Sequence, residues 1–193
     1  MELVSNINFL LGILTVASQI TIALIIAMLV FQKEKLDSLL KKYALPISFA
    51  IALAAASGSL FYSEIAGYDP CKLCWFQRIF MYPQTILLGI ALWKKDYKIA
   101  LYSLILSLMG AAIAGYHYLL QIGIATALPC SAVGYSASCS QRFVMQFGYI
   151  TIPMMAFTGF ILIALLMGLY LIRTLMPQLG LKPRLSAQDN SRK

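Results

Sequence analysis

Of the 193 residues of this chain, 61% are hydrophobic and only 11% are charged, and the mean hydropathy is +0.81. A water-soluble domain does not carry so many apolar residues, because its surface must be solvated, and the composition therefore predicts a membrane protein. The formal net charge of +8 is explained by cations at the membrane surface and requires no nucleic-acid partner.

Five apolar runs reach or approach the roughly 20 residues that a helix needs to cross the hydrocarbon core. They cover residues 7–31, 44–67, 75–93, 99–124 and 148–172. The runs lack the period-two alternation of barrel strands and are longer than such strands. The sequence therefore predicts an all-α membrane protein with five transmembrane helices. The first run is expected to be a retained helix and not a signal sequence, because its leader contains Glu2 and neither Lys nor Arg.

Basic residues are concentrated in alternate connections between these runs. Twelve of the fifteen fall in the first connection, the third connection and the tail: Lys33, Lys35, Lys41, Lys42, Lys94, Lys95, Lys98, Arg173, Lys182, Arg184, Arg192 and Lys193. The positive-inside rule assigns this side to the cytoplasm. The N-terminus and the other two connections are then predicted to lie outside. The segment 177–193 is predicted to be a loose cytoplasmic tail.

All four cysteines lie in the two connections that are predicted to be external. Cys71 and Cys74 form a Cys-x-x-Cys motif, and eight residues separate Cys130 from Cys139. Both pairs therefore face an oxidising compartment, where disulfides form and persist. The second pair closes a small polar loop that a soluble partner can reach. A disulfide there would also stabilise the fold by roughly 2 to 3 kcal/mol, so a catalytic and a structural role are equally compatible with its spacing.

Asp69 and Pro70 precede the first pair and predict the start of a helix, with Asp69 capping free amides and Pro70 in the first turn. Cys71 and Cys74 then lie at the positive end of the helix dipole, which favours a thiolate. One of the two is expected to have a lowered pKa. This position suits thiol–disulfide exchange.

A zinc site is the main alternative use of these thiols. A closed zinc site needs four Cys or His ligands, and the only histidine, His117, falls inside the fourth apolar run. The four thiols alone would then have to form the cage. The spacing of Cys130 and Cys139 differs from the Cys-x-x-Cys knuckle of zinc ribbons, so no metal is expected.

Two polar residues within the apolar runs are candidates for ligand binding. Arg78 lies one helical turn after Cys74, about 6 Å into the membrane boundary. It can stabilise a thiolate and donate a hydrogen bond to a quinone carbonyl, or it can extend to the lipid headgroups. His117 lies near the outer end of the fourth run, one turn before Gln121, and packing within the bundle is its alternative role.

The run Cys71-Lys-Leu-Cys-Trp-Phe-Gln-Arg78, followed by Met81, Tyr82 and Pro83, resembles the signature of the DsbB family of disulfide bond formation proteins, in its Gram-positive BdbC branch. The resemblance covers about residues 44–172. Its further matches are His117, Leu120, Gln121, Pro129, Cys130, Cys139 and residues 148–153. It implies a DsbB-type four-helix redox bundle over residues 44–176, with an additional N-terminal transmembrane helix and its connection over residues 1–43.

The resemblance implies a thiol:quinone oxidoreductase of the bacterial cytoplasmic membrane that reoxidises an extracytoplasmic thioredoxin-fold oxidase of the DsbA/BdbD type. The partner would attack a Cys130–Cys139 disulfide at Cys130. Electrons would pass to a Cys71–Cys74 disulfide through a transient link between Cys71 and Cys139. Cys74 would deliver them to ubiquinone or menaquinone beside Arg78. His117 would line the quinone pocket.

Two other functions share some of these features. A vitamin K epoxide reductase-like protein also combines a Cys-x-x-Cys motif, a loop pair and a quinone, but its loop pair comes first in the chain. A non-enzymatic membrane subunit with two structural external disulfides would leave Arg78 without a role.

Overall fold

The computed structural model describes residues 2–125 and 138–175, and these are almost entirely helical. The α-helices are α1 (Glu2–Phe31), α2 (Lys33–Leu60), α3 (Lys72–Lys94), α4 (Ala100–Gln121) and α5 (Ile152–Tyr170). Short π-helical segments, Phe61–Ile65 and Leu171–Leu175, continue α2 and α5. The described residues contain no strand, only an isolated antiparallel bridge between Gln146 and Ile150. The prediction of an all-α chain with five long helices is confirmed.

Four helical segments are long and apolar enough to cross a membrane: Glu2–Phe31, Glu34–Ile65, Tyr97–Gln121 and Ile152–Arg173. The protein is therefore a multi-pass membrane protein. α3 is less apolar because it carries Gln77, Arg78 and Gln84. All three side chains are buried, with exposed fractions of 7%, 9% and 0%. The polar side chains of α3 therefore point into the protein and not toward lipid, and each of them makes at least one internal hydrogen bond.

The four helices α2 to α5 form a closed ring, in which α2 contacts α3, α3 contacts α4, α4 contacts α5 and α5 returns to α2. α1 packs outside this ring against α2 and α5. This is the architecture predicted from the sequence, a four-helix bundle with one additional N-terminal helix. The predicted domain boundaries at residues 43 and 176 stay predictions, and the tail 177–193 lies outside the described residues.

Small residues let the helices of the ring approach closely. A Cβ atom at Gly110 of α4 would lie 2.3 Å from Cε1 of Phe160 in α5, so only glycine fits beneath this fully buried ring. Between α3 and α4, the amide of Gln84 donates to the hydroxyl oxygens of Ser103 and Ser107 at 3.2 and 2.8 Å. Close packing and interhelical hydrogen bonds hold helices together in a bilayer, where the hydrophobic effect between them is weak.

The starts of α2 and α5 differ from those of the apolar runs for identifiable reasons. α2 begins at Lys33, well before the run at residue 44, because Leu36 and Leu40 are buried on one face of an amphipathic first segment. Asp37 in that segment pairs with Arg173 at 2.9 Å. α5 begins at Ile152 and not at residue 148, since Phe147 and Gly148 have positive φ values of 51° and 78° and form a turn.

Candidate active site

α3 begins directly at the Cys-x-x-Cys motif. Cys71 is the N-cap residue, with an extended backbone, and its Sγ accepts a hydrogen bond from the amide of Cys74 at 3.4 Å. The helix starts at Lys72, so the prediction that Asp69 caps it and Pro70 lies in its first turn is wrong. The sulfur takes the position that a carboxylate was expected to occupy. Both thiols still lie at the positive end of the helix dipole.

The two thiols of the motif share one hydrogen bond. Their Sγ atoms are 3.0 Å apart and unbonded, and both residues precede the apolar run of α3 at residue 75. Donation from Cys71 to Cys74, together with burial, raises the pKa of Cys71 to about 12. The same hydrogen bond lowers the pKa of Cys74, and the charge of Arg78 acts in the same direction. Of the two thiols, Cys74 therefore loses its proton more readily.

His117 of α4 connects the motif to the third described cysteine. Its Nε2 lies 3.0 Å from the carbonyl oxygen of Cys139 and 3.6 Å from Sγ of Cys71. Because a carbonyl only accepts, Nε2 carries the proton, and Nδ1 then accepts from the amide of Gln77 at 2.9 Å. The ring is 2% exposed and is held in one tautomer by partners on two different segments. The sequence indicated His117 but not Gln77.

Cys139 lies against the first cysteine pair. It is 1% exposed and forms a buried cluster with Cys71 and Leu120, on which Cys74 also packs. The structure thus brings together three of the four predicted cysteines. Cys130 and its predicted disulfide with Cys139 lie outside the described residues.

Hydrogen bonds to the end of α4 position the segment that carries Cys139. The Gln121 amide donates to the carbonyl oxygen of Gln141 at 2.9 Å, and Arg142 donates through Nε and Nη2 to the carbonyl oxygen of Gln121. Phe143 stacks on Tyr68 with ring centroids 4.9 Å apart. Sequence reasoning found Gln121 but not its partners, because they come from the following connection.

A metal could use part of this donor set. The ligand atoms of Cys71, Cys74 and His117 lie within 4.8 Å of one another, so the argument that His117 is too remote to join the thiols is wrong. The fit to zinc is nevertheless poor. A tetrahedral zinc with Zn–S bonds of about 2.3 Å separates its sulfurs by about 3.8 Å, whereas these two are 3.0 Å apart. In addition, Nε2 of His117 is already the donor to Cys139.

Arg78 is a buried cation with no carboxylate partner among the described residues. Its Nε donates to Oγ of Ser59 and its Nη2 to the carbonyl oxygen of Ser59, each at 2.9 Å. Its guanidinium lies 5.1 Å from the ring centre of Trp75. Arg78 therefore binds to α2 and does not extend to the headgroups. Ser59, which holds it, has no signal in the sequence.

Cys74 lines two cavities. A cavity of about 360 Å³ is lined by Cys74, Arg78 and His117 and by residues of α1, α2 and α5. A much smaller cavity is lined by Cys71, Cys74, His117 and Gln121. Cys74 thus has access both to the buried cysteine cluster and to a space large enough for a small organic ligand.

A known protein family matches most of this chain. The family model described as "Disulfide bond formation protein DsbB" matches residues 41–170, which include Cys71, Cys74, Arg78, His117 and Cys139. α1 lies outside the match.

Curated relatives agree with this family. The chain is 46% identical over 124 residues to "Probable disulfide formation protein C 1" of Bacillus anthracis, covering 64% of this chain and 88% of the relative. It is 43% identical over 124 residues to "Disulfide bond formation protein C" of Bacillus subtilis, covering 63% and 88%. It is 39% identical over 130 residues to "Probable disulfide formation protein" of Metapseudomonas resinovorans, covering 66% and 89%. No solved structure matches the chain.

Proposed function

Because this chain belongs to the DsbB family of disulfide bond formation proteins, we propose that it is a thiol:quinone oxidoreductase that reoxidises an extracytoplasmic thioredoxin-fold oxidase of the DsbA/BdbD type. The observation that carries the proposal is the position of Arg78. This buried cation has no described carboxylate partner and stands beside the Cys74 thiolate at the end of a ligand-sized cavity. A subunit with purely structural disulfides has no use for such a charge.

The electrons enter at the second cysteine pair. The dithiol of the partner reduces a Cys130–Cys139 disulfide, and the partner becomes a disulfide. The Cys139 thiolate then attacks Cys71 in the Cys71–Cys74 disulfide, which forms a Cys71–Cys139 bond and releases Cys74 as a thiolate. Attack by Cys130 on Cys139 restores the second disulfide and leaves Cys71 and Cys74 reduced. The contact between Cys139 and Cys71 supports this route.

The lowered pKa of Cys74 gives the transfer its direction. A thiol with a low pKa leaves quickly, so attack on Cys71 with departure of Cys74 is the faster of the two possible exchanges. His117 supports the attack, because its Nε2 holds the Cys139 backbone next to Cys71. Gln77 keeps the ring in the tautomer that this requires. His117 and Gln77 are thus positioning residues for the exchange.

The cavity beside Cys74 fits a quinone ring. A bound quinone accepts two electrons and two protons and develops negative charge on its oxygens. Arg78 can stabilise that negative charge. Its Nε and Nη2 donate to Ser59, and its Nη1 has no hydrogen-bond partner among the described residues. It can therefore donate into the cavity. Cys71 retains a proton that the reaction needs, since its pKa is raised.

The distribution of basic residues supports the orientation. The external side is proposed to carry the N-terminus and both cysteine connections, and the C-terminal tail is proposed to be cytoplasmic. The protein then lies in the bacterial cytoplasmic membrane with its thiols facing the secreted partner. The chain order, with Cys-x-x-Cys before the loop pair, disfavours a vitamin K epoxide reductase-like activity.

The test mixes the purified protein with a reduced thioredoxin-fold oxidase and a soluble quinone and follows quinone absorbance. Wild type is expected to produce quinol and a partner disulfide in equal amounts. Cys74→Ser is expected to produce no quinol and at most one partner disulfide per molecule, because its Cys130–Cys139 disulfide can be reduced once but not restored. Equal quinol production by wild type and Cys74→Ser would refute the proposal. Ser138→Ala, which leaves all cysteines in place, is the matched control.

A further inference from the structure

We infer that α1, the helix outside the family match, forms one wall of a groove that binds the isoprenoid tail of the quinone. The inference rests on the proposed function, because it assigns the part of the cavity that continues beyond the ring site.

The cavity extends far beyond the polar end. On α2 it is lined from Ser59 to Ile47, which are about 18 Å apart along the helix at 1.5 Å per residue. The α2 residues between them that line it are small or aliphatic: Ala50, Ile51, Ala54, Ala55 and Gly58. A quinone ring at Arg78 occupies only the outer part of this length. The remainder has the shape and polarity of a site for a linear apolar chain.

Residues spaced three or four apart on α1 form a stripe along one face of the helix, and this stripe covers the groove. Leu11, Thr15 and Ser18 line the cavity together with Leu14, and Leu11 also lies against Gly58 of α2. The hydroxyls of Thr15 and Ser18 donate to backbone carbonyl oxygens one turn earlier, each at 2.8 Å. They therefore leave no unsatisfied polar group in an apolar space.

Contacts with α5 and with the turn before it set the register of α1. The hydroxyl of Tyr149 donates to Oε1 of Gln19 at 2.8 Å, and the Gln19 amide donates to Thr158 at 3.4 Å. A Cβ atom at Gly12 would lie 3.1 Å from the ring of Phe147, so α1 approaches the turn before α5 closely. These contacts hold the stripe over the groove and make α1 a fixed wall.

The test compares two quinones that share a ring and differ in the presence of a polyprenyl tail. Binding is followed by quenching of Trp75, which contacts Arg78 beside the ring site, in a Trp93→Phe background. Ser18→Phe narrows the groove from α1, and Ala55→Phe narrows it from α2. Ala17→Phe adds the same ring to an exposed position of α1 that does not line the cavity and is the matched control.

Ser18→Phe and Ala55→Phe are expected to weaken binding of the tailed quinone at least tenfold and to leave binding of the tailless quinone within twofold. Ala17→Phe is expected to change neither. Unaltered binding of the tailless quinone also shows that the variants are folded. If the tailed quinone binds both groove variants as tightly as wild type, the groove holds a lipid acyl chain and the inference is wrong. Equal weakening of both quinones also overturns it. If wild type binds neither quinone, the proposed function itself fails.

Discussion

The imidazole of His117 donates a hydrogen bond through Nε2 to the carbonyl oxygen of Cys139, at 3.0 Å. This bond joins α4 to the segment that carries Cys139, and it helps to hold Cys139 beside the first cysteine pair. The ring can do this only because Gln77 donates to Nδ1 on its other side. An interaction between two helices thereby sets the geometry for the proposed exchange between Cys139 and Cys71.

Gln77→Met is expected to slow electron transfer from the second cysteine pair to the first. The variant leaves Nδ1 of the buried His117 without a hydrogen-bond donor, which costs about 1 to 3 kcal/mol of free energy. If this cost raises the barrier of the exchange step, the rate falls by a factor of roughly five to more than a hundred. Rapid-quench trapping of the Cys71–Cys139 mixed disulfide measures this rate. Gln84→Met, two turns further along α3, removes hydrogen bonds to Ser103 and Ser107 and is the control. It should lower thermal stability and leave the exchange rate unchanged, and a similar slowing in both variants would contradict the role of Gln77.

Arg78→Met is expected to reduce quinone reduction about a hundredfold while disulfide exchange with the partner persists, because the charge at the cavity is lost and the thiols stay in place. Arg78→Lys should be intermediate, since lysine cannot reproduce the two-pronged contact with Ser59. Steady-state kinetics with varied quinone separates KM from kcat. Ser59→Ala should raise KM several-fold with the charge intact. Loss of partner exchange in Arg78→Met would show that Arg78 supports the fold and not the acceptor.

The reduced pair is expected to titrate asymmetrically. The pKa of Cys74 is lowered, so its thiolate persists as the pH falls below the usual range for thiols, whereas Cys71, with a pKa raised to about 12, stays protonated at neutral pH. Alkylation by iodoacetamide, read by mass spectrometry across pH, should give Cys74 the lower midpoint. Cys71→Ala removes the donor and should raise that midpoint. Cys71 is also more buried, which slows its alkylation at any pH, so the pH midpoints of alkylation and not the absolute rates test the prediction. Equal midpoints for Cys71 and Cys74 would refute the lower pKa of Cys74.

Gly110→Ala is expected to destabilise the bundle by about 1 to 3 kcal/mol, since its Cβ would lie 2.3 Å from the Phe160 ring. Thermal unfolding in detergent measures the loss. Gly115→Ala on the same helix meets Phe157 at 3.3 Å and should have a smaller effect. Phe160→Leu should recover part of the loss when combined with Gly110→Ala. An unchanged midpoint in Gly110→Ala would show that α4 and α5 can move apart freely.

Much of this protein follows from local features of the chain. The lengths of the apolar runs identify a helical membrane protein, because a chain in lipid must satisfy its backbone hydrogen bonds within each helix. The spacing of Cys71 and Cys74, and of Arg78 one turn later, is enough to group these residues in one candidate site, because neighbours on one helix stay neighbours in the fold. The capping residue could not be chosen in the same way, since Asp69 and Cys71 both precede α3 and only the backbone geometry selects the sulfur.

The contacts between helices depended on the tertiary structure. Each of these contacts depends on how a helix is rotated about its own axis. They are the contact of Gln77 with His117, of Ser59 with Arg78, of Cys139 with Cys71, and of the α1 residues with the groove. In a soluble protein the apolar face indicates that rotation. In a bilayer both the lipid-facing side and the packed side are largely apolar, so the apolar pattern does not indicate the rotation. Close packing and interhelical hydrogen bonds together select which faces meet.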